Sequence, residues 1–181
     1  MNDLHRDAVR LGLVSVLVAA VAAVIAGPLK ADGAEPKRQA EAVQASPLYG
    51  VTVPQGYRQW QLVAPALEAG DLNELRAVLG NATAITAYRK GGPPFPDGTV
   101  LVKLAWKHVQ SPEFATALVP GSPTTVQVMV KDSRRYAATG GWGFGRFVDG
   151  KPADLAQHQT CFACHAALVK DRDYVFTRLA P

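Results

Sequence analysis

The chain has 181 residues, 48% of them hydrophobic, with 19 Lys and Arg against 15 Asp and Glu, a formal net charge of +4. That length suits one ordinary domain. The mild charge, without a basic run or an arginine-rich helix, excludes a nucleic-acid binder read from electrostatics. The chain has 2 cysteines, too few for a disulfide scaffold.

Arg6 and Arg10 precede an apolar run from Leu11 to Ala26, interrupted by Gly12 and Ser15. Gly27-Pro28 ends it, and Ala31-Asp32-Gly33 offers small residues for cleavage. This pattern predicts a secretory signal peptide or an uncleaved N-terminal anchor over residues 1–33, and an exported, periplasmic product. Residues 34–47 are rich in Ala, Glu, Lys, Gln and Pro and read as a flexible linker. Residues 48–181 form the folded domain.

Within that domain, Asp71 to Leu79 has apolar residues at helical spacing with Asp71 as a cap, and also suits a strand over Leu75 to Leu79. Asn81 to Tyr88 predicts a short helix capped by Asn81 and ended by Gly91-Gly92. Pro93 to Gly98 is a turn. Thr99 to Trp106 is β-rich, with Val100, Val102, Leu104 and Trp106 on one face and Leu101, Lys103, Ala105 and Lys107 on the other. Thr124 to Val130 is a second β run. Tyr136 to Val148, with its Gly-Gly-Trp-Gly-Phe-Gly stretch, predicts a hairpin turn and a strand. Asp154 to Leu168 should be helical, and Tyr174-Val175-Phe176 a final strand. The mixture is α+β.

Cys161-Phe162-Ala163-Cys164-His165 reads Cys-x-x-Cys-His, the attachment motif of haem c. Two thiols on one edge of a porphyrin form thioethers with its vinyl groups. The following histidine then offers a nitrogen to the iron, so His165 is the expected metal ligand. A zinc site would need more ligands than His5, His108 and His158 supply at partner spacing. A thioredoxin-like pair needs a βαβ context, and none is evident. The covalent cofactor expected is one haem c per chain, held by Cys161 and Cys164.

Only 16 residues follow His165, none of them Met. Met129, inside the apolar run Val126 to Val130, suits a sheet core better than an iron ligand. An open distal iron face is expected, which suits a small ligand rather than simple electron transfer. Trp142 and Phe144 are candidates to pack on the porphyrin, since glycines admit close approach. Ordinary hairpin packing is the alternative. Arg134 and Arg135 are candidates for haem propionates, or else lie in solvent.

Phe95-Pro96-Asp97-Gly98-Thr99, Met129 to Ser133, Tyr136 to Phe144, Gly150 to Asp154, Thr160 to His165 and Asp173 to Thr177 together resemble the cytochrome P460 family over nearly all of Tyr57 to Pro181. The resemblance implies a mainly antiparallel β-sheet with flanking helices and a C-terminal haem-attachment helix, usually as a homodimer. It implies oxidation of hydroxylamine to nitrous oxide, with nitric oxide chemistry as a side branch and a soluble redox cytochrome as electron acceptor. Related cytochromes c′-beta bind nitric oxide or carbon monoxide without that oxidation.

The resemblance also implies a lysine joined to the haem, matching Lys103, with Lys107 as second choice, and a distal carboxylate before the attachment motif. Leu155 or Ala156 stands where that carboxylate is expected. Asp154 beside it and His158 are the candidate proton acceptors. Asp154 equally suits a helix N-cap.

Overall fold

The structure is a computed structural model, which describes residues 44–181. The apolar run over residues 11–26 and the linker up to residue 43 lie outside the described residues. Among the described residues no helix is long and apolar enough to cross a membrane.

Six strands make one antiparallel sheet: β1 Gln61–Glu68, β2 Glu74–Gly80, β3 Val100–Gln110, β4 Leu118–Lys131, β5 Trp142–Val148 and β6 Lys151–Pro152. Their order in space is their order in sequence. Helix α1, Ala82–Arg89, lies between β2 and β3, and helix α2, Leu155–Val169, follows the sheet. The fold is α+β and mainly sheet, with a C-terminal helix carrying the Cys-x-x-Cys-His motif.

Alternation along β3 sorts the sheet into two faces. Val102 lies on one, fully buried with Val51, Val128 and Phe147 under the segment that precedes β1. Burying one such side chain contributes about 1.5–3 kcal/mol. Leu101 lies on the other face, in a cluster with Val78, Trp142, Phe144 and residues of α1. Ladder partners share a face, so Val78, Lys103, Gln127 and Arg146 form one row across it. The folded unit reaches back to Ser46, which is buried and donates its hydroxyl to the Phe144 carbonyl at 3.0 Å.

Helix α1 begins as expected. The Asn81 side-chain oxygen accepts from Ala84 N–H at 2.9 Å and from Val100 N–H at 3.1 Å, and its amide donates to the Gly98 carbonyl at 2.8 Å. One side chain thus caps the helix and ties it to the start of β3. Asn81→Ala is expected to destabilise the fold by about 2 kcal/mol, the upper end of capping effects. Denaturant unfolding would read this as a lower midpoint at unchanged slope.

Two local expectations are corrected. The helical reading of Asp71 to Leu79 fails. Asn73 takes φ 47° and turns the chain, and Glu74–Gly80 then pairs with β1 on one side and β3 on the other. Tertiary pairing outweighs a spacing that suited both structures. Tyr174-Val175-Phe176 is not a strand. Asp173 and Tyr174 are left-handed, at φ 51° and 63°, which breaks the extended line. The segment is nonetheless well held. Val175 is buried, and Tyr88 donates its hydroxyl to the Thr177 carbonyl at 3.0 Å. Burial pushes that phenol up to about 12, with Arg172 opposing.

The glycine-rich stretch does admit close approach, but of tyrosines. A Cβ at Gly140 would lie 2.1 Å from the Tyr174 ring, and one at Gly143 would lie 2.3 Å from the Tyr136 ring.

Candidate functional site

Helix α2 starts at Asp154, whose carboxylate accepts from Gln157 N–H at 2.8 Å. From that start, Cys161, Cys164 and His165 follow at i, i+3 and i+4, which places them on one helix face. The face looks onto the sheet row that holds Lys103 across a cavity of about 500 Å³. Its wall includes both cysteines and His165 from α2, Leu101 and Lys103 from β3, Gln127 and Met129 from β4, and Phe144 and Arg146 from β5. Glu68 of β1 and Glu74 and Arg76 of β2 complete its polar end.

His165 donates its Nδ1–H to the Tyr174 carbonyl at 2.7 Å, which leaves Nε2 without a hydrogen-bond partner among the described residues. Its ring packs edge-on against Phe144 and Phe176, with centroids 5.0 and 4.9 Å away. Burial holds the imidazole below its ordinary pKa, the Tyr174 carbonyl opposes this, and the Lys103 charge adds to it. The neutral ring so favoured is the form that binds a metal. Burial pushes the Cys161 thiol up, against the pull of Arg146. No disulfide joins Cys161 to Cys164.

The Lys103 ammonium pairs with Glu68 at 2.7 Å, and Arg76 reaches the other oxygen of the same carboxylate at 3.2 Å. The Nε–H groups of Arg76 and Arg146 are buried with no partner among the described residues. Both side chains line the cavity.

Five of the expected site residues meet here: Cys161, Cys164, His165, Lys103 and Phe144. The others lie elsewhere. Trp142 is fully buried one sheet row away, edge-on to Phe95. Arg134 is exposed beside Asp132, and Arg135 donates to the Tyr49 carbonyl. Lys107 donates to the Leu72 carbonyl. Leu155 is half exposed in the first turn of α2 and is not part of the wall. Asp154 is occupied as the helix cap.

His158 is fully buried outside the wall. It accepts from Arg146 N–H at 3.0 Å on Nε2 and donates from Nδ1 to the Asp154 carbonyl at 2.8 Å. Both nitrogens are thus spent on backbone groups, which leaves His158 no free position for relaying protons. The carboxylates at the cavity are Glu68 and Glu74, which the sequence reading passed over. Period-2 spacing of Glu74, Arg76 and Val78 is the signal for Glu74, which lies one residue before the strand expected over Leu75 to Leu79. Met129, expected in the core, packs against it and also lines the cavity.

A helix bearing two thiols and an imidazole, facing a sheet across a pocket lined by two arginines, is the donor set of a haem protein. The model of the cytochrome P460 family matches residues 54–177, and the chain belongs to that family. Among curated proteins none matches the chain.

Proposed function

We propose that this chain is an exported, periplasmic mono-haem c protein that oxidises hydroxylamine, passing electrons to a soluble cytochrome and working as a homodimer. The observation that carries this reading is that Lys103 lines the same cavity as Cys161, Cys164 and His165. That is the lysine expected to be joined to the haem.

The residues fit the cofactor. Cys161 and Cys164 would hold it by thioethers, and His165 would ligate through Nε2. Arg76 and Arg146, which line the cavity, would supply guanidinium donors for its carboxylates. When bound, the haem supplies an iron coordination position and an electron sink for a small nitrogen substrate. The chain supplies the rest. Glu68 and Glu74 take the proton-accepting role first expected of Asp154 and His158. Gln127 donates its amide to the Thr125 hydroxyl at 3.0 Å, which leaves its carbonyl oxygen as an acceptor in the wall. Leu101, Met129 and Phe144 give the wall an apolar part.

The test is turnover of hydroxylamine by the haem-loaded protein with an oxidised soluble cytochrome. Glu68→Gln and Glu74→Gln together are expected to lower the rate by about 10²–10⁴-fold, the usual reach of general-base catalysis. A second reading, binding of nitric oxide or carbon monoxide, is favoured by the apolar wall, because a diatomic ligand needs no proton acceptor. Tight nitric oxide binding without turnover would establish it in place of the first. A low-spin ferric signal that vanishes in Met129→Ala would make the protein an electron carrier instead.

A further inference from the structure

The Tyr174 carbonyl that accepts from His165 sits on two successive left-handed residues, Asp173 and Tyr174. A bulky residue such as Tyr174 holds that conformation only where its surroundings over-determine it. Here one carboxylate does so. Asp173 Oδ1 accepts from the Lys131 ammonium at 2.6 Å and from the Trp142 indole N–H at 3.3 Å, and Oδ2 accepts from Phe95 N–H at 2.8 Å. Lys131 also donates to the Gly140 carbonyl at 3.0 Å and lies over the Trp142 ring. The Tyr174 ring fills the space that a side chain at Gly140 would need. The Lys131 and Asp173 side chains are only 11% and 13% exposed, so water competes little for this pairing. The end of β4, the start of β5 and the turn before β3 thus converge on one group, and that group aims one carbonyl.

We infer that Asp173, clamped by Lys131, Trp142 and the Phe95 backbone, is a positioning residue that sets the donor strength of His165 toward iron. The inference rests on the reading of His165 as the proximal ligand. A histidine whose Nδ1–H meets a well-placed acceptor has a more basic Nε2. Such a nitrogen stiffens the bond to iron and favours the ferric state. Asp173, Lys131 and Trp142 do not line the cavity. A mere packing role for them predicts lower stability with the iron–imidazole bond unchanged.

Asp173→Asn keeps the size and removes the charge that draws Lys131. Lys131→Met keeps the stem over Trp142 and removes the ammonium. In the haem-loaded protein, both are expected to lower the ferrous iron–histidine stretching frequency in resonance Raman and to move the midpoint potential positive, with both thioethers intact by mass. Lys131→Arg is expected to restore both readings. An unchanged frequency and potential in either variant, folded and haem-loaded, overturns the inference. His165→Gly separates this from the reading beneath it. An iron–histidine band that persists there removes the proximal assignment itself, and the inference with it. A band lost there but unmoved in Asp173→Asn overturns only the clamp.

Discussion

Lys103→Ala is expected to abolish the red-shifted ferrous Soret band of a cross-linked haem and to lower hydroxylamine turnover by about a hundredfold or more, the scale of lost positioning at a reacting centre. The two thioethers should remain, since Cys161 and Cys164 sit on a different element. The fold should remain as well, because Glu68 keeps Arg76 at 3.2 Å as its partner once the ammonium is gone. Lys103→Arg sharpens the result. A guanidinium preserves the ion pair with Glu68 but not the amine, so it should fail as alanine does. A natural protein whose ferrous band already lies where plain haem c absorbs would remove Lys103 from the chemistry.

The second large effect is on stability. His158→Ala is expected to cost about 3 kcal/mol, read as a fall in denaturation midpoint. The Arg146 N–H and the Asp154 carbonyl each lose their partner in a buried place, and a cavity opens where the ring was. The ring is a staple between β5 and the first turn of α2. If it is only that, the pH profile of turnover should keep its shape in the folded fraction of His158→Ala. A profile that loses one limb would return His158 to the role of proton relay.

Much of the site was legible because its chemistry is local. Cys161, Cys164 and His165 needed only helical spacing to converge, whereas Lys103 is implied by the family resemblance, and strand alternation then places it on the face of β3 that holds Leu101. Asn81 was readable as a cap because a polar acceptor stood directly before an apolar period. The misses have physical causes. β1 carries Pro65 and apolar residues on both faces, so neither alternation nor propensity marks it. An edge strand tolerates that proline. With β1 unread, Glu68 had no reason to stand out. Trp142 and Phe144 lie two residues apart on one face of β5, yet only Phe144 reaches the cavity. Its end is set by where α1 and Phe95 begin to cover the sheet, which is a long-range fact. Asp154 and His158 were candidates as the polar residues nearest the position where the resemblance implies a carboxylate. Nearness along the chain does not tell a side chain facing a cavity from one turned into the neighbouring backbone.

Strand order in space equals strand order in sequence, and this bears on how the protein folds. Each of β2 to β6 pairs with the strand made just before it. Four of the five pairings close a loop of ten residues or fewer, and only the step from β2 to β3 spans a longer connection, which holds α1, so the sheet grows mostly by small entropic steps without waiting for a distant partner. The five strands that floor and frame the pocket precede α2 in the chain. The long-range ties come last. Thr177 bonds to Tyr88, Ala180 to Val63, and Asp173 to Phe95, all through the segment after α2. Assembly therefore runs from a locally built floor to a late closure by the final residues, and His165 acquires its acceptor, Tyr174, only in that last step.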